Sequence, residues 1–239
     1  MYIAFLIIFA VMCAREMVMV VFGIKKRKNP SDVVTEKMKC KLYYRIIVGT
    51  WGYYTIPVLI MCFVGGISLA ELGFRPIVLN DNTWFTIITL ALSGLAFAFF
   101  VFELVVSLVS KKAKEQNSEI GADEYGILPR TKKERWLFSA VSLNSAVCEE
   151  VVFRGFLLFL LYAIFPEISI FLVALIAFAV FGLGHLYQGL KGVIETGLMG
   201  TLFMCLFIAT DSLILVMLLH FFVDFSSTFA LSKEPLQEK

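Results

Sequence analysis

The apolar residues of this chain lie in blocks that are mostly about 20 residues or longer, and this distribution limits the fold more than any other feature. A helix needs about 20 consecutive apolar residues to cross the roughly 30 Å of hydrocarbon in a bilayer. Composition agrees, because 59% of the residues are hydrophobic and only 17% are charged, whereas soluble domains carry about a quarter charged residues. The sequence therefore predicts an all-α, polytopic membrane helix bundle.

Seven blocks are long or apolar enough to be membrane helices. They cover residues 1–23, 42–70, 83–110, 137–165, 168–185, 191–209 and 212–231. An eighth, amphipathic helix in 111–135 is an alternative, which Asn117, Gly121 and Pro129 disfavour. The prediction is about seven transmembrane helices.

The basic residues are concentrated in two polar stretches, 25–41 and 111–135, which each contain seven Lys or Arg residues. Two predicted spans separate the stretches, so both lie on the same side of the membrane. The positive-inside rule places that side in the cytoplasm, with the N-terminus outside and the C-terminus inside. We expect an integral protein of a bacterial cell membrane, with the lipid bilayer and no nucleic acid as a partner.

Ionisable side chains within the membrane are functional candidates because their burial in hydrocarbon is costly. In the C-terminal half they fall into three short motifs on three predicted helices, and these motifs contain the only two histidines of the protein. The motifs are Cys-Glu-Glu-Val-Val-Phe-Arg-Gly (148–155), Phe-Gly-Leu-Gly-His (181–185) and His-Phe-Phe-Val-Asp (220–224).

Helical spacing indicates how these side chains pair. Glu150 and Arg154 are four residues apart, in the favourable acid-before-base order for an ion pair. His220 and Asp224 have the same spacing, so the carboxylate can orient the ring. Glu149 has Phe153 four residues later and no basic neighbour on its own face, so we expect it to act chemically, as a general base that takes a proton from water.

Together the motifs resemble the signature of the CAAX-protease and bacteriocin-processing (CPBP) family of intramembrane endopeptidases. That signature is Glu-Glu-x-x-x-Arg, then Phe-x-x-x-His, then His-x-x-x-Asn/Asp, on three successive motif-bearing helices. The resemblance covers roughly 137–231. It divides the chain into N-terminal membrane helices with two basic cytoplasmic loops (1–136), a CPBP-like catalytic core (137–231) and a cytoplasmic tail (232–239).

The resemblance implies a peptide-bond hydrolase that acts on a peptide or membrane-protein substrate. It implies that Glu149 activates the water with help from His185, and that His220 and Asp224 stabilise the oxyanion. An ionised Asp cannot donate a hydrogen bond, so we expect Asp224 to act by fixing His220. The remaining implied roles are supporting ones, carried by Glu150, Arg154 and Phe181.

Two alternatives stay open. A metalloprotease would use Glu149, His185 and His220 as zinc ligands with a water as the fourth; no cofactor is favoured, because a His-Glu-x-x-His helix is absent and the spacing demands no metal. A non-catalytic membrane binding protein, such as a bacteriocin immunity protein, would use the same fold. Whether a substrate is prenylated does not follow from the sequence.

Overall fold

The computed structural model describes residues 1–26, 35–110, 128–226 and 228. Within these ranges the chain forms seven helices and no β-strand, which confirms the all-α membrane bundle. We number them α1 (Tyr2–Lys26), α2 (Glu36–Gly65), α3 (Thr83–Val109), α4 (132–164), α5 (Ile170–Gly184), α6 (Leu186–Thr210) and α7 (Leu213–Ser226). The alternative eighth helix in 111–135 and the predicted tail fall largely or wholly outside the described residues.

Three of the described helices, α2, α3 and α6, are long and apolar enough to cross a membrane by length and composition. Shorter apolar helices cover Tyr2–Arg15 of α1, α5 and α7. All five cysteines are free, which agrees with their scattered positions in the sequence.

The boundaries of α2 and α4 differ from the prediction because polar turns extend both helices beyond their apolar blocks. Helix α2 begins at Glu36, after an N-cap at Thr35. Helix α4 begins at Lys132, where Thr131 and Glu134 form a capping box. At its other end α2 stops at Gly65, because Gly66 adopts the left-handed conformation that closes a helix (φ 67°). The apolar residues that follow Gly66 belong to a loop.

Two helices contain a π-helical segment that the sequence did not reveal. In α2 the segment is Trp51–Thr55, just before Pro57, which has no N–H to continue an α-helical ladder. In α4 it is Glu150–Phe156, which includes the second Glu and the Arg of the first motif. The two segments contact each other in the bundle. Such π-bulges are common at functional sites.

Helices α5 and α6 form the most extensive helix pair, and glycines on α6 allow their close approach. The ring of Phe178 lies against Gly197, and Phe181 lies against Gly200. Helix α1 packs against α4, α5 and the start of α6. Its Phe9 is buried between Phe153 and Phe156 at ring-centroid distances of 6.0 and 6.2 Å. Helix α5 therefore contacts both α1 and α6.

The loop 66–82 closes one end of the bundle by backbone hydrogen bonds to the turn between α6 and α7. The N–H of Leu213 donates to the carbonyl of Gly73 (2.8 Å), and the N–H of Val78 donates to that of Thr210 (2.8 Å). Leu72 is fully buried, with its backbone oxygen against Gly155 of α4. The loop thus covers the ends of α6 and α7 that this turn connects.

Candidate active site

The π-helical segment of α4 brings a buried ion pair into the bundle. Glu150 and Arg154 have exposed side-chain fractions of 0% and 1%, and their Oε1 and Nη1 atoms are 3.1 Å apart. The predicted i,i+4 pair is therefore present in the structure. Arg154 also donates from Nη2 to the backbone carbonyl of Gly200 on α6, at 3.4 Å.

The same carboxylate joins α4 to α7. The Nδ1 atom of His220 lies 2.6 Å from Oε1 of Glu150 and donates a hydrogen bond to it. This oxygen is shared by His220 and Arg154, whereas Oε2 of Glu150 is buried without a hydrogen-bond partner among the described residues. Glu150 is thus the acceptor that holds His220, a role that the spacing of the motifs did not predict.

Asp224, which we expected to orient His220, lies farther from the ring than Glu150 does. Its Oδ2 is 3.6 Å from Nε2 of His220, which is longer than a hydrogen bond. The side chain of Asp224 is also 36% exposed. Glu150 thus faces Nδ1 of His220, and Asp224 lies on the Nε2 side of the same ring.

His185 lies at the end of α5 and is held by its own helix. Its Nδ1 is 2.8 Å from the backbone carbonyl of Phe181. A carbonyl oxygen can only accept, so Nδ1 carries the hydrogen and the neutral ring presents a lone pair at Nε2. A nitrogen in this state can accept a proton or bind a metal.

Phe181 is the contact shared by these groups. Its ring centroid lies 4.2 Å from Cζ of Arg154, 5.2 Å from the ring of His185 and 6.3 Å from the ring of His220. The guanidinium above the ring face is a cation–π contact. Phe181, for which the resemblance implied a supporting role, therefore lies beside both histidines.

Glu149 is half-buried at the end of the regular part of α4. Its carboxylate interacts electrostatically with His220, His185, Asp224 and Arg154. The structure thus brings together the seven residues that the motifs nominated, from α4, α5 and α7. Their catalytic roles remain predictions.

A metal site of the usual kind is not formed by these residues. Among residues 1–26, 35–110, 128–226 and 228, no three His, Cys, Asp or Glu side chains are grouped so as to hold a metal ion. The set Glu149, His185 and His220 therefore does not have the geometry of a ligand set here.

Sequence reasoning missed two contributions from α6. Phe203 places its ring 5.6 Å from that of His220 and 5.8 Å from Cζ of Arg154. The backbone carbonyl of Gly200 accepts the hydrogen bond from Arg154. One indication of these contacts was present in the sequence, because Gly200 and Phe203 are three residues apart and therefore lie on one face of α6.

The fold and the site define a class: a polytopic helical membrane protein with a carboxylate–histidine cluster buried within its bundle. Residues 131–226 match the family model described as "Type II CAAX prenyl endopeptidase Rce1-like". The match agrees with the resemblance carried by the three motifs, and it shows that residues 131–226 are similar to CAAX-type endopeptidases at the level of the family. It spans less than half of the chain. Searches of curated proteins and of solved structures returned no match.

Proposed function

We propose that the protein is an intramembrane endopeptidase that hydrolyses a peptide bond with a water molecule activated by Glu149. The observation that carries the proposal is the electrostatic interaction of Glu149 with His185 and His220, which lie on two other helices or their ends. The Rce1-like match supports protease activity in general. The glutamate mechanism rests on the geometry and on the chemistry of the side chains.

In this mechanism the carboxylate of Glu149 takes a proton from water as the water oxygen attacks the carbonyl carbon of the substrate. His185 accepts a hydrogen bond from the same water at Nε2, because its Nδ1 is already donated to Phe181. The tetrahedral intermediate then loses its C–N bond. The proton held by Glu149 passes to the leaving nitrogen, and the products are a carboxylic acid and an amine.

The oxyanion of that intermediate would be stabilised by His220. Since Nδ1 is bound to Glu150 at 2.6 Å, the donor left for a substrate oxygen is Nε2–H. Asp224 is 3.6 Å from Nε2, too far to accept this hydrogen in a normal bond. We therefore assign Asp224 to electrostatic support of a protonated His220, which an ionised carboxylate can give without donating a hydrogen bond.

Zinc bound by Glu149, His185 and His220 is the alternative mechanism, and metal analysis decides between the two. We propose the metal-free mechanism because the sequence contains no His-Glu-x-x-His motif. Activity that is lost with a chelator and restored by stoichiometric zinc in the purified protein would overturn this choice.

The membrane orientation is also a proposal. We infer that the two basic stretches and the C-terminus face the cytoplasm, so the end closed by the loop 66–82 faces outward. A substrate would then reach the site from the cytoplasmic half of the bilayer. Reporter fusions placed in the loop 66–82 and after Lys239 would test this, and the opposite accessibility would reverse the assignment.

The decisive experiment compares wild type with Glu149→Gln on a panel of prenylated and unprenylated peptides in liposomes. Removal of a general base lowers the rate by about 10²- to 10⁴-fold, so we expect near-complete loss of cleavage. Glu195→Gln is the matched control, because Glu195 is exposed on α6 and paired only across 3.6 Å with Lys191. Equal thermal stability of the variants separates chemistry from folding.

Cleavage that is unchanged by Glu149→Gln but lost in His185→Ala and His220→Ala would remove Glu149 from the mechanism. Cleavage of prenylated peptides alone would assign the substrate class, and cleavage of plain peptides would show that the prenyl group is not required. The panel thus tests the residue and the substrate in one set of measurements.

A further inference from the structure

Gly200 on α6 meets two groups of the candidate site at once. Its backbone carbonyl accepts a hydrogen bond from Nη2 of Arg154 at 3.4 Å. A Cβ added at Gly200 would lie 2.7 Å from Cβ, 2.9 Å from Cγ and 3.0 Å from Cδ1 of Phe181. These atoms form the root of the Phe181 side chain, so rotation of the ring cannot remove the overlap. The backbone of α5 or α6 would have to move.

A movement of Phe181 reaches the other parts of the site. Its ring lies against the guanidinium of Arg154 (4.2 Å) and beside both histidine rings (5.2 and 6.3 Å). Its backbone carbonyl accepts the hydrogen bond that fixes His185. Arg154 in turn shares the Glu150 oxygen that holds His220. Phe181 therefore connects Gly200 to His185, and the pair of Arg154 and Glu150 connects Gly200 to His220.

We propose that Gly200 is a positioning residue for the reaction: its bare Cα sets the place of Phe181, and its carbonyl sets that of Arg154. Through them it fixes His185 and the Glu150–His220 pair relative to each other. The inference rests on the proposed function for its effect on catalysis. The positions of the two histidine rings do not depend on the proposed function, and they can be measured without an activity assay.

Gly197, one turn earlier on α6, provides a matched control. A Cβ there would also lie 2.7 Å from a phenylalanine, in this case from Cε2 of Phe178. The nearest atoms belong to the outer edge of the Phe178 ring, which can turn aside. The added methyl group and the helix are the same as in Gly200→Ala, but the displaced residue is one turn away from Phe181.

The experiment compares Gly200→Ala and Gly197→Ala with wild type in the full chain. A displacement of about 1 Å in a catalytic group can cost about 10²-fold in rate, so for Gly200→Ala we expect a kcat about 10- to 100-fold lower. KM should stay within about twofold, because substrate contacts are retained. Gly197→Ala should keep kcat within about twofold of wild type at a comparable thermal stability.

A second readout does not need a substrate. The protein contains only two histidines, so isotope labelling of histidine gives two sets of ring signals in an NMR spectrum. Gly200→Ala should shift both sets, because Phe181 adjoins both rings, and Gly197→Ala should leave both near their wild-type positions. Unshifted signals in Gly200→Ala, or equal shifts in the two variants, would overturn the proposal.

Phe181→Leu covers the case in which Gly200→Ala does not fold. It keeps Cβ and Cγ against Gly200 but removes the ring from Arg154 and the histidines. We expect it to shift both histidine signals and to lower kcat; wild-type signals and kcat in this variant would contradict the proposal. If the wild type cleaves nothing, the proposed function fails, while the histidine signals still decide whether Gly200 positions the two rings.

Discussion

The bundle contains two polar regions that are built in opposite ways. At the centre, Glu150, Arg154 and His220 bind one another through side chains that are almost fully buried. At one end, the loop 66–82 binds the α6–α7 turn mainly through backbone hydrogen bonds. The side chains of its ion pair, Arg75 and Asp211, are 44% and 36% exposed.

The difference indicates how each region responds to the loss of a charged side chain. The central group has few spare partners. One oxygen of Glu150 pairs with both His220 and Arg154, and its other oxygen has no hydrogen-bond partner among the described residues. Loss of Arg154 or His220 therefore leaves the buried carboxylate of Glu150 with a single partner. The loop depends on the path of its backbone, which is fixed by glycines with positive φ angles. Loss of one of its exposed charges leaves that path unchanged.

The largest effect is expected from Arg154→Met, which leaves the charge of Glu150 buried beside His220 alone. Breaking a buried ion pair by removal of one partner costs about 3 to 5 kcal/mol, and we expect a loss of stability of this size together with loss of activity. Thermal unfolding in detergent, followed by circular dichroism, measures the change.

Arg75→Met is the control for the exposed pair at the loop. Surface ion pairs contribute about 0 to 1 kcal/mol, so its unfolding temperature should stay close to that of wild type. Similar losses of stability in Arg75→Met and Arg154→Met would show that the two polar regions do not differ in the way described above.

An intermediate effect is expected from Gly73→Ala in the loop. Gly73 has φ 91°, and a Cβ there would lie 2.3 Å from the ring of Phe207. The left-handed backbone and the overlap together should cost about 2 to 4 kcal/mol. Gly66→Ala is the matched control, since Gly66 also has a positive φ (67°) but no atom within 4 Å of the added Cβ. It should cost only about 1 kcal/mol.

Equal unfolding temperatures for the two glycine variants would mean that the contact with Phe207 does not hold the loop. A loss of activity in Gly73→Ala without a loss of stability would be a different result. It would link the loop to the site, and it would contradict the separation of the two polar regions.

Much of the central region could be predicted from the sequence, because it depends on local spacing. The pair Glu150–Arg154 follows from the pitch of a helix, and hydropathy located the helices that carry the motifs. The bond between Glu150 and His220 could not be predicted in this way. It joins residues 70 positions apart, and it depends on how α4 and α7 are rotated against each other.

The loop region was less accessible to sequence reasoning. Residues 66–70 are apolar enough to extend a predicted helix, whereas the left-handed Gly66 ends it. The backbone pairing of the loop with the α6–α7 turn involves no side-chain pattern that a sequence would display. The contacts of Gly200 could not be predicted for a similar reason. They involve its backbone carbonyl and the close approach of Phe181 to its Cα, and neither produces a side-chain pattern in the sequence.

The smallest effect concerns a carboxylate of the loop and depends on pH. The backbone N–H and the hydroxyl of Ser68 donate to Oε2 of Glu71 at 2.8 and 2.7 Å, and these bonds hold the pKa of Glu71 below its ordinary value of 4.5. A carboxyl group with a lowered pKa in the folded state adds stability above its unfolded-state pKa. This contribution is lost as the pH falls through the folded-state pKa.

Glu71→Gln should therefore unfold at a slightly lower temperature than wild type at pH 7, and the difference should disappear at a pH well below 4.5. Glu167→Gln, in the turn between α4 and α5, controls for the loss of one exterior charge. A difference that persists or grows at acidic pH would show that Ser68 and Glu71 stabilise the loop without the charge of the carboxylate.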